Sequence, residues 1–110
     1  MKDKIRRIAN HYKFEMQSRQ LSEECAELIQ AINKYYRYNK RLVMPVDILT
    51  STDDINMLIQ NIVEEIADVE IVMEEIKHLL NINPEAIEEI KKFKVDREIG
   101  RIEQEGSVNE

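Results

Sequence analysis

An all-α fold is what this sequence predicts, and three observations carry that expectation. Apolar residues recur at three- and four-residue spacing over long stretches. The clearest runs from Asp53 to Leu80, where Ile55, Leu58, Ile59, Ile62, Ile66, Val69, Met73, Ile76 and Leu80 trace one helical face. Charged residues make up 35% of the 110 residues and aromatics 5%, a balance that suits solvated helices. Glycine and proline number two each, too few for a turn-rich β architecture.

Residues 2–11 form a short basic amphipathic pattern carrying Ile5 and Ile8. After YKFEMQSRQ comes a long helix, about Glu15 to Tyr38, with Leu21, Cys25, Leu28, Ile29, Ile32 and Tyr36 as its core stripe. Residues 39–52 hold no regular period and contain Pro45, so a loop is expected, longer than helical bundles ordinarily use. Ser51, Thr52 and Asp53 offer N-caps for the third helix, from Asp53 to Leu80. Asn83-Pro84 then opens a fourth, with Asn83 as cap and Pro84 at the first helical position. That helix is expected to reach about Glu105, leaving EGSVNE as a frayed tail. Four helices around one core, in a single domain over residues 1–105, is the predicted architecture.

Composition narrows the function classes. Sixteen basic and twenty-two acidic residues leave a net charge of −6, which argues against a general binder of nucleic-acid backbone. Cys25 is the only cysteine and lies within an apolar helical pattern, so a structural thiol is expected and a disulfide framework or zinc site is not. No apolar run approaches about 20 residues and no signal-peptide core follows Met1, so a cytoplasmic protein without a membrane span is expected.

The chemistry lies in two similar clusters, Glu23-Glu24-Cys25-Ala26-Glu27 and Glu64-Glu65-Ile66-Ala67-Asp68. In so acidic a chain the pattern alone is weak, and Glu74-Glu75 and Glu88-Glu89 are expected on solvated faces. Placement says more. At about 100° per residue, Glu65 falls among Leu58, Val72 and Ile76, inside the apolar sector, with Asp68 on its edge. Glu24 and Glu27 take the same offsets on their own helix, roughly −60° and −120° from its core direction. If the helices pack side by side, four carboxylates converge with no Lys or Arg in either cluster to neutralise them. Such a group raises its own pKa values, and a divalent cation relieves the repulsion. Oxygen-only ligands favour Mg²⁺ or Mn²⁺ over zinc. Pattern alone leaves a metal site and a merely acidic bundle both open. Any carboxylate of the four, or Glu23 beside them, can accept a proton from water. Lys34, one heptad beyond Glu27, and Asn61, one turn before Glu65, are placed either to line such a site or to be solvated. His11 and His78 accompany no nucleophile and no metal-ligand spacing. On the fourth helix, the spacing that sets Ile87 and Ile90 inward continues to Lys94, Arg97 and Arg101, so an apolar face becomes basic. Those three either grip a polyanion or pair with surface acids such as Asp96 or Glu105.

QSRQLSEECAELIQAINK followed by NIVEEIADVEIVMEEIKHLLNI resembles the MazG-like branch of the all-α nucleoside triphosphate pyrophosphohydrolases. The approach residues Phe14 to Gln17 and the later KVDREIGRI are similar to that branch as well, so the likeness spans roughly residues 12–102. It implies that Glu24, Glu27, Glu65 and Asp68 hold Mg²⁺, with Glu24 and Glu65 as the catalytic carboxylates. It further implies cleavage between the α- and β-phosphates of a nucleoside triphosphate, giving a monophosphate and pyrophosphate. Gln17, Lys34, Asn61, Lys94, Arg97 and Arg101 then fall on the substrate side, and association into a homodimer or homotetramer is expected. In one departure from the family, 37 residues separate Glu27 from Glu65, a longer connection than the compact MazG arrangement. Two rivals stand beside this reading. One is a non-catalytic acidic helical module for oligomerisation or interaction; the other is a phosphoribosyl-ATP pyrophosphohydrolase, which shares the acidic pattern.

Overall fold

A computed structural model describes residues 1–42 and 52–108 of the chain. The described residues are all-helical, in three helices: α1 (Lys2–Leu42), α2 (Thr52–Leu79) and α3 (Pro84–Val108). None of the three is long and apolar enough to cross a membrane.

The two helices expected over residues 2–38 run together as α1, but the path breaks at Lys13, where φ is 69° and ψ 170°. This corner of backbone space is almost reserved for glycine. The break therefore falls between the basic amphipathic segment and the acidic one, as their separate periodicities require. Past Tyr38, α1 continues to Leu42, which takes in the start of the expected loop; the rest of that loop lies outside the described residues.

Helix α2 is well signed at both ends. Asp53 and Asp54 sit in its first turn and Lys77 and His78 in its last, each favourable to the helix dipole. Beyond it, Asn81 adopts φ 54°, the left-handed conformation that closes many helices. Asn83 then caps α3 as expected, its Oδ1 accepting from the Glu85 amide at 3.0 Å, with Pro84 between them. The expected end of α3 near Glu105 is passed: the helix reaches Val108, because neither Gly100 nor Gly106 takes a positive φ to end it.

The chain divides into two compact units, Met1–Leu79 and Leu80–Glu110. In the first, α1 and α2 pack antiparallel, so that Asn10 meets His78 and Gln17 meets Glu75. Its fully buried residues are few and mixed: Ala9, Val69 and Val72 with Gln17 and Glu75. The expected core stripes are only partly covered. Ile29 is 58% exposed and Tyr36 61%, with Ile32 beside them on α1; on α2, Ile59, Ile66 and Met73 are likewise exposed at heptad spacing. A single neighbouring helix covers one sector of each stripe and leaves the adjoining sector bare. In the second unit, Ile87 is half-buried, but Ile90, expected inward, is exposed along with Phe93, Val95, Ile99 and Ile102.

The break at Lys13 gives a first test. Lys13→Gly should raise stability by about 1 kcal/mol, because relief of the strained φ outweighs the extra freedom glycine gives the unfolded chain. Lys13→Ala should change it by less than about 0.5 kcal/mol, since alanine meets the same strain. Urea denaturation of the two variants checks the difference.

Candidate functional site

Antiparallel packing turns two helical i, i+3 acid pairs into one cluster. Glu24 and Glu27 lie a turn apart on α1, and Glu65 and Asp68 a turn apart on α2. One carboxylate oxygen from each of Glu24, Glu27 and Glu65 lies within 4.8 Å of the others. Glu24 and Glu65 are half-buried, whereas Glu27 is exposed. Asp68 is exposed and stands outside this triplet, though close enough for its charge to act on Glu24.

The inner two carboxylates are incompletely satisfied. Glu24 Oε1 accepts from Gln20 Nε2 at 2.6 Å, but Glu24 Oε2 is buried without a hydrogen-bond partner. Glu65 Oε2 is buried and unpartnered in the same way. Burial raises the Glu24 carboxyl above its ordinary value of 4.5, the Gln20 amide opposes the rise, and the charges of Glu27 and Asp68 add to it. Two shielded oxygens without donors, among like charges, form a donor set suited to a hard cation. The residues present therefore fit a Mg²⁺ or Mn²⁺ ion.

Next along the interface is a pair the sequence did not suggest. Glu75, expected on a solvated face, is 1% exposed and accepts from Gln17 Nε2 at 2.5 Å; Gln17 is itself 5% exposed. The available signal was spacing. Glu75 follows the buried Val72 by three residues, so it continues the buried line even though its charge argues for solvent. Burial raises the Glu75 carboxyl from its ordinary 4.5, and the Gln17 hydrogen bond works against the rise. Beyond it, Asn10 Oδ1 lies 2.9 Å from His78 Nε2, which makes the ring nitrogen the donor.

The remaining expected site residues are more dispersed. Gln17 is committed to Glu75, whereas Lys34 on α1 and Asn61 on α2 are exposed. Lys94, Arg97 and Arg101 are exposed on α3, in the second unit. There Arg101 pairs with Glu98 at 3.1 Å, and Arg97 lies over the Phe93 ring, 5.8 Å from its centroid. His11 stacks edge-on against Tyr12. Comparison of the chain with protein-family models, curated proteins and solved structures returned no match.

The two raised carboxyls fix a pH dependence. Glu24 and Glu75 bind protons more tightly folded than unfolded, so their contribution is fully present below about pH 4.5 and is lost as pH rises through the folded values. In EDTA, the melting temperature should therefore fall as pH rises from about 4.5 toward neutrality. Glu24→Gln and Glu75→Gln should each flatten that fall. Thermal melts across the range, wild type against each variant, measure it.

Proposed function

We propose that this protein is a Mg²⁺-dependent nucleoside triphosphate pyrophosphohydrolase, converting a (deoxy)nucleoside triphosphate to the monophosphate and pyrophosphate. The observation that carries this reading is the convergence of Glu24, Glu27 and Glu65, with two buried oxygens left without donors. The resemblance of the two acidic helices to the MazG-like branch supplies the reaction class. Glu24, Glu27 and Glu65 hold the cation, with Asp68 as a fourth carboxylate at the edge. When bound, a divalent cation supplies positive charge to phosphate oxygens and acidifies nearby water. The chain's own part is to orient and to accept a proton. Glu24 and Glu65 are the two carboxylates assigned to take it, a reading supported by their unpartnered Oε2 atoms, with Glu24 held through Oε1 by Gln20. Lys94, Arg97 and Arg101 supply the cationic grip on the triphosphate, since Arg meets phosphate with paired donors.

Four helices closing around one core, and association into a homodimer or homotetramer, complete the proposal. Its support is the pair of exposed apolar rows, Ile29–Ile32 and Ile59–Ile66–Met73. The same rows favour the second reading, a non-catalytic helical interaction module.

Pyrophosphate release from a panel of NTPs, dNTPs and phosphoribosyl-ATP decides between these readings. Mg²⁺- or Mn²⁺-dependent release from at least one nucleoside triphosphate is expected. A protein that binds no divalent ion and is inert toward the panel would be the interaction module instead. Glu65→Gln should lower turnover by about 100-fold or more while keeping or raising metal-free stability. Lys94→Ala and Arg97→Ala should each weaken nucleotide use about tenfold or more, with helix content and metal binding kept. Sedimentation at micromolar concentration should show a dimer or larger; a monomer would remove the association from the proposal.

A further inference from the structure

Between α1 and α2 the apolar side chains are mostly aliphatic and alike, so they fix one alignment less sharply than directional contacts do. Among the described residues Ala9, Val69 and Val72 are the buried apolar ones, with Leu21, Leu28, Leu58, Ile62 and Ile76 half-buried, and aliphatic rows of this kind discriminate only weakly between alignments. Directional contacts discriminate better. Gln17 and Glu75 are the buried polar residues among those described in the unit, and they are joined to each other by a hydrogen bond. In another alignment each must find a new partner or lie buried without one. The pair is also in step with the acid cluster: Glu24 follows Gln17 by seven residues, and Asp68 precedes Glu75 by seven, as antiparallel helices require. It therefore lies about 10 Å along the helix axis from the carboxylates. A slide of a single turn, about 5.4 Å, would separate oxygens that now lie within 4.8 Å of one another.

We propose that the buried Gln17–Glu75 hydrogen bond is a positioning pair: it sets the alignment of α1 against α2 and so holds Glu24, Glu27 and Glu65 within reach of one cation. The cation half of this statement rests on the metal reading above; the alignment half does not. Gln17 thereby acts on the reaction through the carboxylates rather than by touching substrate.

The test removes both partners together. Replacing a buried polar pair by apolar side chains is often neutral or stabilising, so Gln17→Leu with Glu75→Leu should remain helical and melt no lower than wild type. Its Mn²⁺ affinity, by electron paramagnetic resonance or calorimetry, should nevertheless fall about tenfold or more. Glu75→Gln, which keeps an amide to pair with Gln17, should stay within about threefold of wild type. Spin labels at the exposed positions Ser22 and Glu70, in a Cys25→Ser background, read the alignment itself. One narrow distance is expected in the parent and in Glu75→Gln, and a broadened or shifted one in the double leucine variant. An unchanged narrow distance in the double variant overturns the proposal, whatever the metal does. Loss of helix content there would overturn it too, since the pair would then carry stability and not alignment. If the parent binds no Mn²⁺ but the distance still broadens, the metal reading fails and the alignment role stands.

Discussion

Two carboxylates, Glu24 and Glu65, are partly shielded from water where α1 meets α2, and each keeps one buried oxygen without a donor. Packing the helices closer deepens that desolvation and brings Glu27 and Asp68 into the same field. The interface is therefore opposed at its acidic end and must be held elsewhere along its length. Ala9, Val69 and Val72 are buried and Leu21, Leu28, Leu58, Ile62 and Ile76 half-buried, and polar contacts, Gln17 with Glu75 and Asn10 with His78, add to them. A divalent ion would reverse the sign of the acidic end, turning its repulsion into attachment. Stability and occupancy are coupled in such an arrangement.

The helical pattern was readable because it depends on one sequence variable, the period of apolar residues. Asn83-Pro84 was readable because capping is local chemistry, and the Asn83 side chain does meet the Glu85 amide. Glu24, Glu27 and Glu65 were readable through their angle on the helix. Other features depended on the neighbour. Spacing sets Glu75 on the buried line and its charge argues for solvent; the amide of Gln17, 58 residues earlier in the chain, is what lets it be buried. The bare rows at Ile29 and Ile66 look like core because apolar spacing cannot count how many helices cover it. Lys13 carries no glycine or proline signal, so only the change of pattern on either side hinted at a break.

On α3 the basic residues are engaged mainly by their own helix: Lys91 with Glu88 at 3.3 Å, Arg101 with Glu98, and Arg97 over Phe93. Exposed pairs of this spacing are weak, worth about 0.5 kcal/mol or less. They orient the side chains without committing them, and a polyanion can displace such partners at small cost.

The antiparallel pairing of α1 and α2 also implies an order of assembly. Of the cross-helix pairs named above, Glu27 and Glu65 are the closest in sequence, Gln17 and Glu75 are 58 residues apart, and Asn10 and His78 are 68 apart. Loop-closure entropy rises with separation, so the acids pair before these polar contacts and pairing zips from them toward the amino terminus. Unzipping starts from the opposite end, at the segment ahead of Lys13. Amide hydrogens there should exchange faster than those around Glu24, so the acids pair before the polar contacts on their amino-terminal side and part after them.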